Sequence, residues 1–281
     1  MINVMFWNAN IRNHENVDED KCINIDNVIA AIALEYNCDI IVLAEYDLDV
    51  RNICKKLEAN DIFFSSRDVI GNTHIKIIAR NFLKSEIIRD SSRYAIYDFE
   101  WGNVHFMLAG VHFPSKLHDE DRQELIGRQL VDDILDSEKR LKHNNTIIVG
   151  DFNANPFENV MISFGYMHAI YDSEIVEKKK VRKCCDMTRQ FLYNPMWNLF
   201  GDDNLPKGSY YCDTGGVKNL YWNIFDQVLI SPNVVKSYIR ESMKIITSIK
   251  DYKLLDREGI PDKVSYSDHL PLFFSFEENL L

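Results

Sequence analysis

The chain has 281 residues, 46% of them hydrophobic and 27% charged, with a formal net charge of −11. That is enough apolar material for one large α/β domain, and no linker or internal repeat divides it, so a single domain over 1–281 is expected. The acidic balance argues against a non-catalytic nucleic-acid-binding module, which usually carries a basic footprint, but less against an enzyme whose carboxylates hold a cation.

In chain order, Ile2–Trp7 reads as a buried strand and 9–20 as a polar loop. Between about Asp20 and Asn37 the apolar positions Ile25, Val28, Ile29, Ile32 and Tyr36 recur at helical spacing. Asp39–Ala44 is a β-branched run that predicts a strand. A helix over about 47–60 follows, then strands near 62–66, 73–80, 94–100 and 103–112. A long helix from about Asp119 to Lys142 sets Ile126, Leu130 and Ile134 on one face, with Val131 and Leu135 beside them. Thr146–Val149 is a strand, and 156–222 is the least regular stretch, rich in aromatics and turn residues. Strand signals return at Gln227–Ile230, around 238–246 and at Leu270–Phe276. The alternation predicts a layered α/β fold with helices covering sheet faces.

Six cysteines, at 22, 38, 54, 184, 185 and 212, form no C-x-x-C pair, and adjacent Cys184-Cys185 does not suit a disulfide framework. Free thiols, an N-terminus without a basic leader region and the lack of an apolar run of membrane-span length predict a cytoplasmic protein with no membrane anchor. Nucleophile elbows, Walker loops and dinucleotide fingerprints do not occur.

The chemistry collects at strand ends. Four apolar strands run into a polar residue that a core would not select: Asn8, Glu45, His112 and Asp151. Two more strands are preceded by such residues, Asp226 and the pair Asp268-His269. If the first set enters one sheet edge and the second leaves it, all six places meet, at a location where scaffolds usually carry catalytic groups. In Gly150-Asp151-Phe152-Asn153 the two-residue spacing keeps a carboxylate and an amide on one side, fit for water or metal and for phosphoryl charge; an Asx turn is the competing reading. His269 stands next to an acid and would need a carboxylate such as Asp226 to fix its tautomer. Glu45 offers hard oxygens that suit Mg²⁺, and no His/Cys set has zinc-like spacing. Arg80, ending Ile75–Ala79, either meets a phosphate or snorkels to the surface. The run Lys178–Lys183 reads as a solvated face or as a phosphate contact. His14, His74, His105, His118, His143 and His168 carry no functional reading.

The ordered set Trp7-Asn8-x-Asn10, Glu45, His112, Gly150-Asp151-Phe152-Asn153, Phe225-Asp226-Gln227-Val228 and Ser267-Asp268-His269-Leu270-Pro271 resembles the endonuclease/exonuclease/phosphatase family, the deoxyribonuclease-I-like fold. The resemblance implies a four-layer α/β/β/α sandwich. It implies Mg²⁺ (or Mn²⁺) held mainly by Glu45, with Asn8 and Asp268 nearby. Asp151 would align the attacking water, Asn153 would donate to a phosphoryl oxygen, Asp226 would orient His269, and His112 would serve the phosphate side. The division of acid and base stays open, and Asn10 and Arg80 stand as substrate-binding positions. The implied activity is a Mg²⁺-dependent phosphodiester hydrolase, most simply a nuclease, with nucleic acid as substrate and no obligate protein partner. The alternative is a phosphatase or phosphodiesterase for a small or lipid phosphate of the inositol phosphate or sphingomyelin type. His112 in place of Tyr, and Asn10 in place of Asp, lean away from the abasic-site branch. Ile224 stands where a basic residue is usual, two before Asp226. Phe191–Leu199 with Gly208–Tyr211 resembles a bacterial subgroup of the family; its aromatics either stack on bases or fill core.

Overall fold

The computed structural model describes residues 1–12, 18–67, 75–115, 120–214 and 220–277. The chain opens with β1 (Ile2–Ile11), buried along its length except at Asn10. A strand covered on both faces selects a continuous apolar run rather than alternation. α1 (Glu19–Glu35) is capped by Asp18, whose side chain accepts from the Asp20 N–H, and buries the expected Ile25, Val28, Ile29 and Ile32. β2 (Ile40–Tyr46) returns parallel to β1. α2 (Arg51–Glu58), β3 (Phe64–Ser66), β4 (Ile75–Arg80) and β5 (Lys84–Asp90) follow. β6 (Tyr94–Trp101) and β7 (Val104–His112) make an antiparallel pair, and α3 (Glu120–Leu141) leads into β8 (Thr146–Asp151).

The irregular middle contains α4 (Asn159–Ile162), β9 (Ala169–Ile170) and α5 (Ser173–Lys179). A hairpin of β10 (Val181–Cys184) and β11 (Met187–Gln190) comes next, followed by β12 (Leu192–Tyr193), a 3₁₀ turn at Pro195–Leu199, and the short pair β13 (Tyr210–Tyr211) and β14 (Trp222–Asn223). The chain then forms β15 (Asp226–Ile230), β16 (Tyr238–Ile245), a small pair β17 (Ser248–Ile249) and β18 (Tyr252–Lys253), and β19 (Leu272–Phe276).

Two large sheets result. One has the order β16-β19-β1-β2-β4-β3, the other β5-β6-β7-β8-β15-β12-β9. Between them lies a core of Val4, Phe6, Val42 and Ile77 from the first sheet and Tyr97, Phe99, Leu108, Val149 and Val228 from the second. The alternate side chains face outward: Met5, Trp7, Ile41 and Leu43 pack on α1 and α2 through Ile29, Ile32, Ile53 and Leu57. Met107, Ala109 and Ile148 pack on α3 through Leu130 and Ile134. The order helix, sheet, sheet, helix is the expected four-layer α/β/β/α sandwich. Each large apolar side chain so buried contributes about 1.5–3 kcal/mol, and a one-residue slip would turn a whole strand inside out, so register is firmly set.

Two features depart from the sequence expectation, and a third decides between two readings of it. β1 continues through Asn8 to Ile11, where a loop was expected. β5 carries no apolar signal because it is an edge strand, with Lys84, Glu86, Arg89 and Asp90 exposed; such charges keep an edge from pairing with other chains. Lys178–Lys183 closes α5 and opens β10, exposed throughout, with Lys178 paired to Glu174 at 3.0 Å one helical turn away. That is a solvated face. His14, His74 and His118 lie outside the described residues. None of the six cysteines is in a disulfide. No described helix is long and apolar enough to cross a membrane.

Candidate active site

Topology brings the singled-out residues together. β1 and β2 run parallel, so Asn8 and Glu45 reach the same end of the first sheet. β7 and β8 run parallel with His112 level with Asp151, and antiparallel β15 sets Asp226 opposite Asp151. Asp268 and His269 precede β19, which pairs antiparallel with β1 and so begins where β1 ends. Gly150 makes the approach of β7 and β8 possible: a Cβ there would lie 2.0 Å from the carbonyl oxygen of Val111.

Three non-glycine residues here adopt left-handed backbone conformations, Asn10 (φ 49°), Glu45 (φ 49°) and Asn153 (φ 47°). Asparagine tolerates this region, whereas glutamate pays about 1–3 kcal/mol and needs surroundings that hold it. The β1–β2 register also shifts between Asn8 and Ile11. Both departures end the regular alternation and turn polar side chains into the site.

A buried chain of contacts results. Both carboxylate oxygens of Asp226 face His269 Nδ1, at 2.8 and 3.1 Å. His269 Nε2 lies 3.9 Å from Asp151 Oδ2, and His112 Nε2 lies 3.8 Å from the same oxygen. His112 Nε2 is in turn 3.0 Å from Glu45 Oε1. Asn8 Nδ2 donates to Asp151 Oδ2 at 2.9 Å and reaches Glu45 Oε1 at 3.5 Å. The Asn153 N–H donates to Asp151 Oδ1 at 2.8 Å, and its Nδ2 donates to the Phe113 carbonyl at 2.9 Å and to Asp151 Oδ2 at 3.2 Å. Asn10 Nδ2 donates to half-buried Asp268 at 2.8 Å. Asn8, Glu45, His112, Asp151, Asp226 and His269 are all buried.

Residues around this chain hold it in place. Trp7 Nε1 donates to the His269 carbonyl at 2.8 Å, Ser267 Oγ to the Asn8 carbonyl at 2.7 Å, and the Asp226 N–H to Ser209 Oγ at 3.2 Å. The Tyr210 ring lies against His269, centroids 4.6 Å apart. Arg12 donates to Glu45 Oε1. The half-buried Arg93 guanidinium is pushed down by burial and by the positive charges of Arg122 and Arg12, and drawn up by Glu45, so Arg93 lies within electrostatic reach of that carboxylate.

Electrostatics follow from these contacts. Burial pushes the Glu45 carboxyl up, but hydrogen bonds from His112 and Arg12 outweigh it and hold the group at about 2. Burial alone would favour a neutral His269; the carboxylates of Asp226 and Asp151 prevail and raise it to about 10. Donor atoms of Asp151, Asp226 and His269 lie within 4.8 Å of one another. Both Asp226 oxygens are engaged with the imidazole, however, so Asp226 acts on His269 rather than standing free. The ionised Glu45, with the Asn8 amide beside it, offers hard oxygens that fit a divalent cation; Asn8 Nδ2 and Arg12 now balance that carboxylate.

Of the sequence-predicted residues, Asn8, Asn10, Glu45, His112, Asp151, Asn153, Asp226, Asp268 and His269 come together. Arg80 does not. Ile40, the start of β2, is level with Ala79 of β4, so Arg80 stands at the far end of β2, roughly 17 Å along the strand from Glu45. There it donates to the Cys38 carbonyl (2.9 Å) and Asn37 Oδ1 (2.6 Å) and lies 3.4 Å from buried Asp39. An antiparallel strand ends at the opposite edge from its parallel neighbours, which a linear reading of strand ends does not distinguish. Sequence reasoning missed Arg12 and Arg93, which sit on no motif, and Ser209 and Tyr210, which it read only as part of an aromatic segment.

The sequence profile of the Endonuclease/Exonuclease/phosphatase family matches residues 7–269. No curated protein matches the chain. Among solved structures, truncated TDP2 from Caenorhabditis elegans is similar at 15% identity and TM-score 0.59, covering 98% of this chain and 97% of that one. The human Nocturnin catalytic domain with bound sulfate anion is similar at 17% identity and TM-score 0.59, covering 98% and 94%. TDP2 from D. rerio, complexed with single strand DNA product, is similar at 15% identity and TM-score 0.56, covering 98% of both chains. At such identities the likeness is one of fold.

Proposed function

The chain belongs to the Endonuclease/Exonuclease/phosphatase family of metal-dependent phosphoester hydrolases, and from that premise we propose that it is a Mg²⁺-dependent phosphodiesterase that cleaves nucleic acid. The observation that carries the reading is the buried run Asp226–His269–Asp151–His112–Glu45, drawn from both sheets onto one end. Glu45, with Asn8 and Asp268, would hold the cation, whose contribution when bound is to neutralise charge on the phosphoryl group.

The protein's own groups divide the remaining work. Asp151, fixed by the Asn153 N–H and by Asn8, aligns a water and takes its proton as the water oxygen bonds to phosphorus; the ester P–O bond on the opposite side breaks, and the leaving oxygen takes a proton from one of the two histidines. His269 keeps Nδ1–H on Asp226, which leaves Nε2–H to donate to a phosphoryl oxygen; His112 serves the same centre from the Glu45 side. Asn153 Nδ2, which holds the Phe113 carbonyl and Asp151 Oδ2, would add a further donor by exchanging the longer of these two bonds for a phosphoryl oxygen. Arg12 on Glu45, and Arg93 within electrostatic reach of Arg12, Arg122 and Glu45, gather positive charge near the site of a protein that is acidic overall, which suits a substrate with several phosphates. The single strand DNA product in a protein of this fold supports the same substrate class.

A panel assay in Mg²⁺ or EDTA tests the proposal, with single- and double-stranded DNA, RNA, inositol phosphates, sphingomyelin and a chromogenic phosphodiester. EDTA-sensitive cleavage of oligonucleotides is the expected result. Turnover of inositol phosphates or sphingomyelin alone would replace the nuclease reading with a small- or lipid-phosphate enzyme. An inert protein with every divalent metal would end both.

A further inference from the structure

Far from the active end, a second group of donors converges. Asp98 on β6 and His105 on β7 are diagonal neighbours on the α3 side of their sheet, since Asp98 is level with Met107. His143 follows the C-terminus of α3. His105 Nδ1 is 2.9 Å from Asp98 Oδ2, and His143 Nε2 is 3.1 Å from Asp98 Oδ1. Asp98 is buried, at 8% exposure. His143 Nδ1 is buried without a hydrogen-bond partner, so whatever lies between Nε2 and Asp98, a proton or a cation, carries the whole polar stabilisation of that ring. The group opens onto a cleft of about 540 Å³ that Glu86, Asn103 and Asn145 also line. His105 and His112 are seven residues apart on β7, roughly 23 Å, so this place is separate from the active end.

We infer that Asp98, His105 and His143 form a binding site for a Zn²⁺-class divalent cation, with its fourth position open to the cleft. Two imidazoles and a carboxylate suit a borderline metal, unlike the oxygen-rich set at Glu45. Zinc bonds of about 2.0–2.2 Å in a tetrahedron separate neighbouring donor atoms by roughly 3.3–3.4 Å. His105 Nδ1 and His143 Nε2 face different oxygens of Asp98, at 2.9 and 3.1 Å, each a few tenths of an ångström short of that value, so loading requires only a small spreading; the donor atoms of all three residues lie within 4.8 Å of one another. Loading would displace the two N–H protons that now face the carboxylate. α3 ends at Leu141, two residues before His143, and the negative end of a helix dipole favours a cation. Linear spacing hides the set, because its members stand seven and thirty-eight residues apart in the chain.

The test is calorimetric titration of the chelator-stripped full chain with Zn²⁺, alongside Co²⁺ titration followed by visible absorption. Wild type and Asp151→Asn are expected to bind one ion at this site, with a tetrahedral Co²⁺ spectrum and a Zn²⁺-dependent rise in melting temperature. His105→Ala and His143→Ala are each expected to weaken binding at least tenfold and to abolish the thermal rise, with unchanged circular dichroism. His105 is half-exposed, so its removal leaves the fold intact and keeps the comparison valid. A tetrahedral Co²⁺ spectrum that survives both histidine substitutions, or that is lost in Asp151→Asn alone, would overturn the site. So would a wild-type protein that takes up neither ion, which would leave the trio a proton-sharing charge cluster only.

Discussion

Gly150→Ala puts a methyl group where the carbonyl oxygen of Val111 already sits, 2.0 Å from the ideal Cβ, with Val111 Cγ2 at 2.6 Å. Carbon and oxygen without a bond settle roughly 3.3 Å apart, so β8 must withdraw from β7 by about 1.3 Å at this rung. Overpacking against a backbone atom costs about 1–3 kcal/mol. The chemical consequence is larger. Asp151 is the next residue, level with His112 and opposite Asp226, and a displacement of about 1 Å in a reacting group costs on the order of 100-fold in rate. Urea unfolding is expected to show a lower midpoint at unchanged slope, and kcat on an oligonucleotide in saturating Mg²⁺ to fall about 100-fold. Full turnover with a stability loss under about 0.5 kcal/mol would refute the claim that β7–β8 spacing positions Asp151.

Asp226→Asn removes the negative charge that raises His269 to about 10 and replaces one of its two acceptor oxygens with an NH2 donor that can select the wrong tautomer, so kcat should fall by about 10²–10⁴. The alkaline limb of the pH–rate profile should move toward neutrality, since loss of that carboxylate lowers His269; an unmoved limb would remove the imidazole from the reaction. Glu45 is a carboxylate whose folded value, about 2, lies below its ordinary 4.5. Its stabilisation is therefore complete above about pH 4.5 and is lost as pH falls toward 2, a difference of about 3 kcal/mol. Urea midpoints of wild type and Glu45→Gln should converge through that window, and parallel curves would contradict the ion pairing. Arg80→Ala should leave kcat unchanged while lowering stability by about 1–3 kcal/mol, because buried Asp39 loses its cation; a fall in kcat at preserved stability would return Arg80 to the substrate path.

The active end was legible because its residues violate the pattern around them. Asn8, Glu45, His112 and Asp151 each end an apolar run, and burial on both sheet faces leaves no ordinary reason for a polar group there. Parallel and antiparallel pairing then decides which ends coincide, and single strands do not announce their pairing. Arg80 followed the same rule of thumb and came out at the opposite edge. β5 escaped notice because an exposed edge strand is selected for charge rather than for alternation. Two of the three aromatics in 191–199 proved to be core, Phe191 and Tyr193. Tyr210, in contrast, packs on His269, a role its sequence neighbourhood does not separate from filling space. Asp98, His105 and His143 were invisible for a related reason: β6, β7 and the end of α3 must fold before they meet.

The left-handed backbone at Asn10, Glu45 and Asn153 sets a direction for evolution and engineering alike. Glycine at any of the three would relieve the conformation, and would discard the amide or carboxylate that the conformation exists to present. A library screened for heat tolerance alone would therefore drift to glycine at these positions and away from turnover. Selection for turnover holds them against that drift, so the fraying most worth watching in a thermostabilised descendant is at the catalytic rim rather than in the sheets.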